Sequence, residues 1–270
     1  MKIGIIAGAG DLPFFLMDEV QRKGYNCVVA GIKGEGDRKL ALRAEAFEWV
    51  SLGEVGKVLS LFRKNGVEEA ILAGKVEHKH VFFKGEMDEE TSRLIARLEG
   101  KSTSHIMGEF IKFMAEEGVK IVKPVAFLSP FLCDEGLLAG KSLPREVEED
   151  INYGLTIAKK MADLDIGQTV VVKEKAVVGV EGMEGTDETI RRCSRLAGKG
   201  FVVIKAGRTS QDMRIDMPAV GRSTLETIAA SGGKALCIEA NNVLFFQKEE
   251  TISLARKNKI LILARKIVNV

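Results

Sequence analysis

Apolar and polar positions in the first half of the chain follow two periods in turn. Short apolar runs at 2–7, 26–32 and 70–73 contain few polar residues, as strands covered on both faces do. Between them, 12–23 and 55–64 carry apolar residues at helical spacing, for instance Val55, Val58, Leu59 and Phe62. The pattern predicts further helices at 93–98 and 105–115 and a strand at 120–122. Strands alternating with helices of this length form parallel sheets with right-handed crossovers. The expectation is a Rossmann-like N-terminal domain over 1–130. From 124 to 144 the pattern lapses, with Pro124, Pro130, Pro144, Gly136 and Gly140 punctuating it, and a linker is expected at 131–145. The second half predicts helices at 146–162, 187–196, 224–230 and 249–258. It predicts strands at 169–173, 176–180, 201–206, 235–240, 243–246 and 259–264. This is a second α/β or α+β domain over 146–270, expected to be the catalytic one, and the pattern leaves its topology open.

Composition agrees with an ordinary folded protein: 46% of the 270 residues are hydrophobic and 29% charged. The net charge of +2 excludes the clustered basic surplus of a nucleic-acid binder, so no nucleic-acid partner is expected. Cys27, Cys133, Cys193 and Cys237 form no Cys-x-x-Cys pair, which argues against zinc and for a reducing compartment. No apolar run approaches the roughly 18 residues that span a bilayer. The apolar start is interrupted by Asp11 and Pro13, too soon for a signal peptide. A soluble, cytoplasmic protein is expected.

Three stretches carry chemistry. In the first, a strand runs into Gly8-Ala9-Gly10-Asp11-Leu12-Pro13, a glycine turn with proline in the first turn of a helix. Small residues and free N–H groups there would suit a phosphate, but Phe14 and Phe15 stand where a dinucleotide fingerprint expects a third glycine. A tight turn needing glycine for geometry alone remains the other reading. Lys75, just after the apolar run 70–73, is expected at the same sheet edge. In the second stretch, Glu181, Glu184, Asp187 and Glu188 crowd between a strand and a helix. Thr186 or Asp187 there serves as an N-cap, or the carboxylates hold a hard cation. The third stretch begins after Lys205. If 212–216 is extended, Asp212, Arg214 and Asp216 share a face, a set that could hold a metal, orient water and neutralise a phosphate. His78, His80 and His105 read as surface or capping residues.

Four segments together resemble the LpxI-type UDP-2,3-diacylglucosamine pyrophosphatases. They are 5–13, 165–172, the Val180-to-Asp187 stretch with Glu-Gly-Thr-Asp, and Gln211-Asp212-Met213-Arg214-Ile215-Asp216-Met217-Pro218 with Gly221. Ala219 departs from the threonine usual in that family. The resemblance implies a Rossmann-like first domain, a second domain of unusual fold and substrate held between them. It implies Mg²⁺-dependent hydrolysis of UDP-2,3-diacylglucosamine to UMP and 2,3-diacylglucosamine 1-phosphate (lipid X), a step of lipid A biosynthesis. It makes Asp216 and Asp212 the leading metal or water-activating carboxylates, with Glu184 as a further metal ligand and Asp187 as a further catalytic residue. It places Gln168, Thr186, Lys205, Gln211 and Arg214 near the phosphates or sugar. Gly8, Gly10, Asp11, Leu12 and Lys75 would meet the nucleotide or lipid-sugar. Transient contact with the inner face of the inner membrane and a homodimer are also implied. The rival readings are a non-catalytic nucleotide-sugar or lipid carrier and an NAD-dependent oxidoreductase.

Overall fold

The apolar runs of the first half pair with one another. The computed structural model describes residues 1–76, 86–98, 103–209, 214 and 217–267. In it, β1 (Lys2–Ala7), β2 (Asn26–Ile32), β3 (Ala46–Val50), β4 (Glu69–Ala73) and β5 (Lys120–Ile121) form one sheet in the order β3-β2-β1-β4-β5. Every neighbouring pair is parallel. The helices are α1 (Leu12–Arg22), α2 (Val55–Lys64), α3 (Glu89–Ile95), α4 (Thr103–Glu116) and the short α5 (Val125–Leu128). On one face Ile6, Val28 and Ala30 share a core with Leu59 and Phe62 of α2 and Phe113 and Met114 of α4. Helix α1 packs against β1, β2 and β4 and buries Leu16, Met17 and Val20. Strand β3 escaped the sequence pattern because it is an edge strand, half-exposed along most of its length and carrying exposed Glu48.

This first unit comprises Met1–Leu128 together with Arg214, and the second begins at Ser129. The second contains β6 (Gly136–Ala139), α6 (Arg145–Asp163), β7 (Thr169–Lys173), β8 (Ala176–Val180), α7 (Thr186–Ala197) and β9 (Val202–Lys205). It continues through β10 (Ala219–Val220), α8 (Arg222–Ser231), β11 (Ala235–Glu239), β12 (Leu244–Phe245), α9 (Lys248–Lys257) and β13 (Leu261–Arg265). Six strands form a mixed sheet in the order β6-β13-β11-β9-β7-β8. Its centre, β13-β11-β9, is parallel, while β6 and β7 run antiparallel to their inner neighbours and β8 to β7. Strands β10 and β12 pair separately. The residues expected as a linker at 131–145 therefore contain a sheet strand: β6 is paired to β13, and the prolines and glycines around it mark turns within the second unit.

Alternation along the central strands assigns their two faces. Val171, Val203, Leu236, Ile238 and Ile262 pack under Ile190 and Cys193 of α7, Leu225 and Ile228 of α8 and Ala255 of α9. Val170, Val172, Val202, Ile204 and Cys237 pack against Val147, Ile151, Leu155 and Ala158 of α6. Successive residues point to opposite sides, so a sheet covered on both faces needs an unbroken apolar run. That is why β9 and β11 are buried at every position. Among the described residues, no helix is long and apolar enough to cross a membrane.

In the first sheet the loops leaving β1 and β4 are stitched together. Gly8 donates its N–H to the Ala73 carbonyl at 2.8 Å, and Ala9 and Lys75 exchange backbone hydrogen bonds of 2.7 and 2.9 Å. A Cβ on Gly8 would lie 2.3 Å from the Lys75 carbonyl oxygen, which only a backbone shift could relieve. Gly10 is different: its φ is +93°, but no atom stands within 4 Å of where its Cβ would be. Both glycines thus have a backbone reason for being glycine. Gly8→Ala should cost about 3 kcal/mol of stability and Gly10→Ala only about 1 kcal/mol. Urea unfolding of the two variants checks this, and the reverse order of stabilities would contradict the stitched-loop account.

Candidate functional site

Strand β9 ends on Lys205, which is only 5% exposed although its ammonium carries a full charge. Such a group must find oxygen partners, and three elements supply them. Thr169, its register partner on antiparallel β7, accepts a hydrogen bond from Nζ at 3.2 Å. Thr186, the first residue of α7, accepts another at 2.7 Å. Glu181, immediately after β8, holds Oε2 3.7 Å from Nζ, and its Oε1 accepts from the Thr186 hydroxyl at 2.9 Å. The turn geometry brings these groups together. Glu181 donates its N–H to the Thr169 carbonyl at 2.8 Å, continuing the β7–β8 ladder. Gly167 allows the chain entering β7 to pass, since a Cβ there would lie 2.1 Å from the Glu181 carbonyl oxygen.

Burial pushes the Glu181 carboxyl toward protonation. The Lys205 ammonium, the hydroxyls of Thr169 and Thr186 and the Gln168 N–H outweigh it, holding Glu181 below the usual carboxylate range. The Glu181 carboxylate is thus held against the Lys205 ammonium. Gln168 also accepts a backbone hydrogen bond from Ala206 through its carbonyl at 3.0 Å, which ties the start of β7 to the end of β9.

The acidic loop separates into two roles. Glu184 accepts hydrogen bonds from Arg192 at 2.7 Å, from the Thr189 hydroxyl at 3.2 Å and from the Gly182 N–H at 3.1 Å. Its own backbone N–H and then Arg192 hold it below the usual carboxylate range. Both oxygens of Glu184 are thus engaged in fixing the loop, which does not fit a metal ligand. The N-cap of α7 is Gly185, not Thr186 or Asp187, and no side chain caps it. Asp187 stands half-buried in the first turn, where a carboxylate complements the helix dipole. Among the described residues no three carboxylate, histidine or cysteine side chains are grouped to hold a metal ion. The four cysteines are buried and unpaired, and burial pushes the Cys237 thiol up to about 12, so none is an activated nucleophile.

Of the remaining candidates, Gln211, Asp212 and Asp216 lie outside the described residues, as do His78 and His80. Arg214 is half-buried in a turn. In the first unit, Asp11 is exposed at the N-cap of α1 and makes no capping bond, Leu12 is half-buried, and Lys75 is exposed. Lys205, Thr186 and Gln168 are brought together with Glu181 of the acidic stretch; Thr169, which completes their cluster, is not among the expected site residues. Only the pairing of Thr169 with Lys205 across antiparallel strands identifies Thr169, and sequence spacing cannot give that register.

Two sequence families match the chain: LpxI N-terminal domain over residues 2–131 and LpxI C-terminal domain over residues 134–263. A Caulobacter vibrioides protein named UDP-2,3-diacylglucosamine pyrophosphatase LpxI is 30% identical, the match covering 94% of each chain. Among solved structures, the biotin carboxylase domain of a thermophilic 2-oxoglutarate carboxylase is 9% identical with a TM-score of 0.29, over 72% of this chain and 39% of that one. N5-carboxyaminoimidazole ribonucleotide synthetase from Thermotoga maritima is 15% identical with a TM-score of 0.28, over 67% and 40%. The chain spans about two fifths of these two proteins, and likeness at this level carries no argument.

Glu181 yields a pH prediction. Its folded-state pKa is lowered, so its stabilising contribution is present above the unfolded carboxylate value and is lost as pH falls through the folded value. Glu181→Gln should cost about 1–3 kcal/mol at pH 7, because Lys205 loses its counter-charge. The gap between parent and variant in urea unfolding should close as pH drops below the ordinary glutamate range. A gap that stays constant down to acid pH would contradict the ion pair.

Proposed function

Because the chain belongs to the LpxI family, we propose that it hydrolyses UDP-2,3-diacylglucosamine, with the reacting pyrophosphate at the Lys205 edge of the second sheet. The oxygen of water bonds to one phosphorus, and the bridging P–O bond at that phosphorus breaks. The products are UMP and 2,3-diacylglucosamine 1-phosphate. The observation that supports this placement is the buried lysine itself. Its ammonium is already oriented by Thr169, Thr186 and Glu181, so little reorganisation is needed when negative charge develops on a phosphate oxygen nearby. Thr186 adds the N-terminal turn of α7, whose dipole favours an anion.

Asp212 and Asp216 are the carboxylates this reading assigns to Mg²⁺ and to the attacking water. Glu184 is left out, since Arg192, Thr189 and Gly182 already occupy it. When bound, Mg²⁺ would supply Lewis-acid charge neutralisation at the phosphates. Gln168, Gln211 and Arg214 are assigned to the phosphates or sugar, and Asp187 to a supporting catalytic role. An acylated substrate must be collected at a membrane surface. With a net charge of +2 the attraction to anionic lipid is weak, so the contact is transient.

The test is turnover. With Mg²⁺ the protein should release UMP from UDP-2,3-diacylglucosamine, and excess EDTA should abolish the release. Asp216→Asn, and separately Lys205→Ala, should each lower kcat by about 10²–10³-fold. Absence of UMP release by the parent in Mg²⁺ would refute the hydrolase and favour a carrier. Wild-type kcat in folded Lys205→Ala would refute the placement of the pyrophosphate at Lys205.

A further inference from the structure

Two residues past Lys205, a second buried ion pair grips the backbone. Lys159 on α6 and Glu239 at the end of β11 are 8% and 7% exposed. Their charged groups meet at 2.8 Å, and both reach Gly207. The Gly207 N–H donates to Glu239 Oε2 at 2.9 Å, and the Gly207 carbonyl accepts from Lys159 Nζ at 2.9 Å. The three residues close a ring of hydrogen bonds around the backbone of Gly207. Asn242 donates to the same Glu239 oxygen at 2.9 Å. One helical turn beyond Lys159, Asp163 accepts from the Thr209 N–H at 2.6 Å and from its hydroxyl at 2.9 Å. Arg208 pairs with Asp165.

A buried ion pair is a weak source of stability compared with apolar residues of the same volume, so its presence needs another reason. A lysine and a glutamate that surround a backbone amide and carbonyl fix the position and direction of the chain there. Asp150, a buried carboxylate on α6, differs: it accepts from the Lys175 N–H in the β7–β8 turn at 2.7 Å and pairs with Lys234 at 3.1 Å, well away in sequence from Lys205.

We propose that Lys159 and Glu239 are positioning residues for the hydrolysis: by clamping Gly207 they set where β9 ends, and with it the placement of the Lys205 ammonium. The proposal rests on the reading that Lys205 serves the reacting phosphates. Neither residue touches substrate in it.

Glu239→Gln tests it while preserving size, since one amide N–H then faces a donor that the carboxylate accepted. With UDP-2,3-diacylglucosamine and Mg²⁺, kcat should fall about 10–100-fold while KM stays within about twofold, because the clamp acts on geometry rather than on binding. In the same protein, hydrogen exchange at the Gly207 amide should accelerate. Lys159→Met should behave alike, and Asp163→Asn, on an exposed side chain, should lower kcat by a smaller factor and keeps the test open should the buried variants not fold. Asp150→Asn is the control: it should lose stability and keep its kcat. Folded Glu239→Gln or, failing that, folded Asp163→Asn with parental kcat would overturn the proposal, as would a kcat loss in Asp150→Asn equal to that in Glu239→Gln. A parent protein that releases no UMP would instead overturn the hydrolase reading, so the two failures are distinct.

Discussion

A lysine withdrawn from water must be met by oxygen atoms placed before it arrives, and the second sheet meets this demand twice around the end of one strand. The mixed strand order makes it feasible. Because β7 runs antiparallel to β9, its first residues, Gln168 and Thr169, lie beside the last residues of β9. Because β11 runs parallel to β9, its last residue, Glu239, reaches the same edge. A parallel β7 would start at the opposite edge and leave Lys205 without Thr169. A one-residue slip would turn Thr169 to the other face of the sheet. Polar chemistry at this edge therefore depends on strand direction and register, which the apolar residues on both faces enforce.

The first unit handles its sheet edge differently. All its strands are parallel, and the order reverses at β1 and β4, the place where open α/β sheets commonly receive a ligand. Here the two loops are joined by backbone hydrogen bonds between Ala9 and Lys75. The glycines that look like a phosphate-binding turn are needed first for that closure. A ligand role for Gly10, Asp11 or Leu12 has to be argued from something besides the presence of glycine.

Most of the regular structure was legible because hydrophobic period decides it: 2–7, 26–32, 55–64, 169–173 and 176–180 fold as their spacing predicts. The misses share a cause. β3 is a half-exposed edge strand and β6 lies among prolines and glycines, so neither has the unbroken apolar run that burial on two faces demands. In the site, Lys205 is legible as a charge closing an apolar strand, and Thr186 and Glu181 as part of a polar, acidic loop. Thr169, Lys159 and Glu239 are not, since their significance comes from partners 36, 32 or 80 positions apart brought together by the sheet. The metal-ligand role of Glu184 comes from the resemblance alone, and sequence cannot show that Arg192, on α7, pairs with it.

The most direct test of the account follows the Lys205 side chain itself. In protein labelled at lysine Cε, with the Lys205 signal assigned from its absence in Lys205→Gln, a titration with UMP should shift that signal saturably, together with the backbone signals of Thr186 and Gln168. Shifts confined to the turn around Gly10, with Lys205, Thr186 and Gln168 unmoved at saturating UMP, would contradict it.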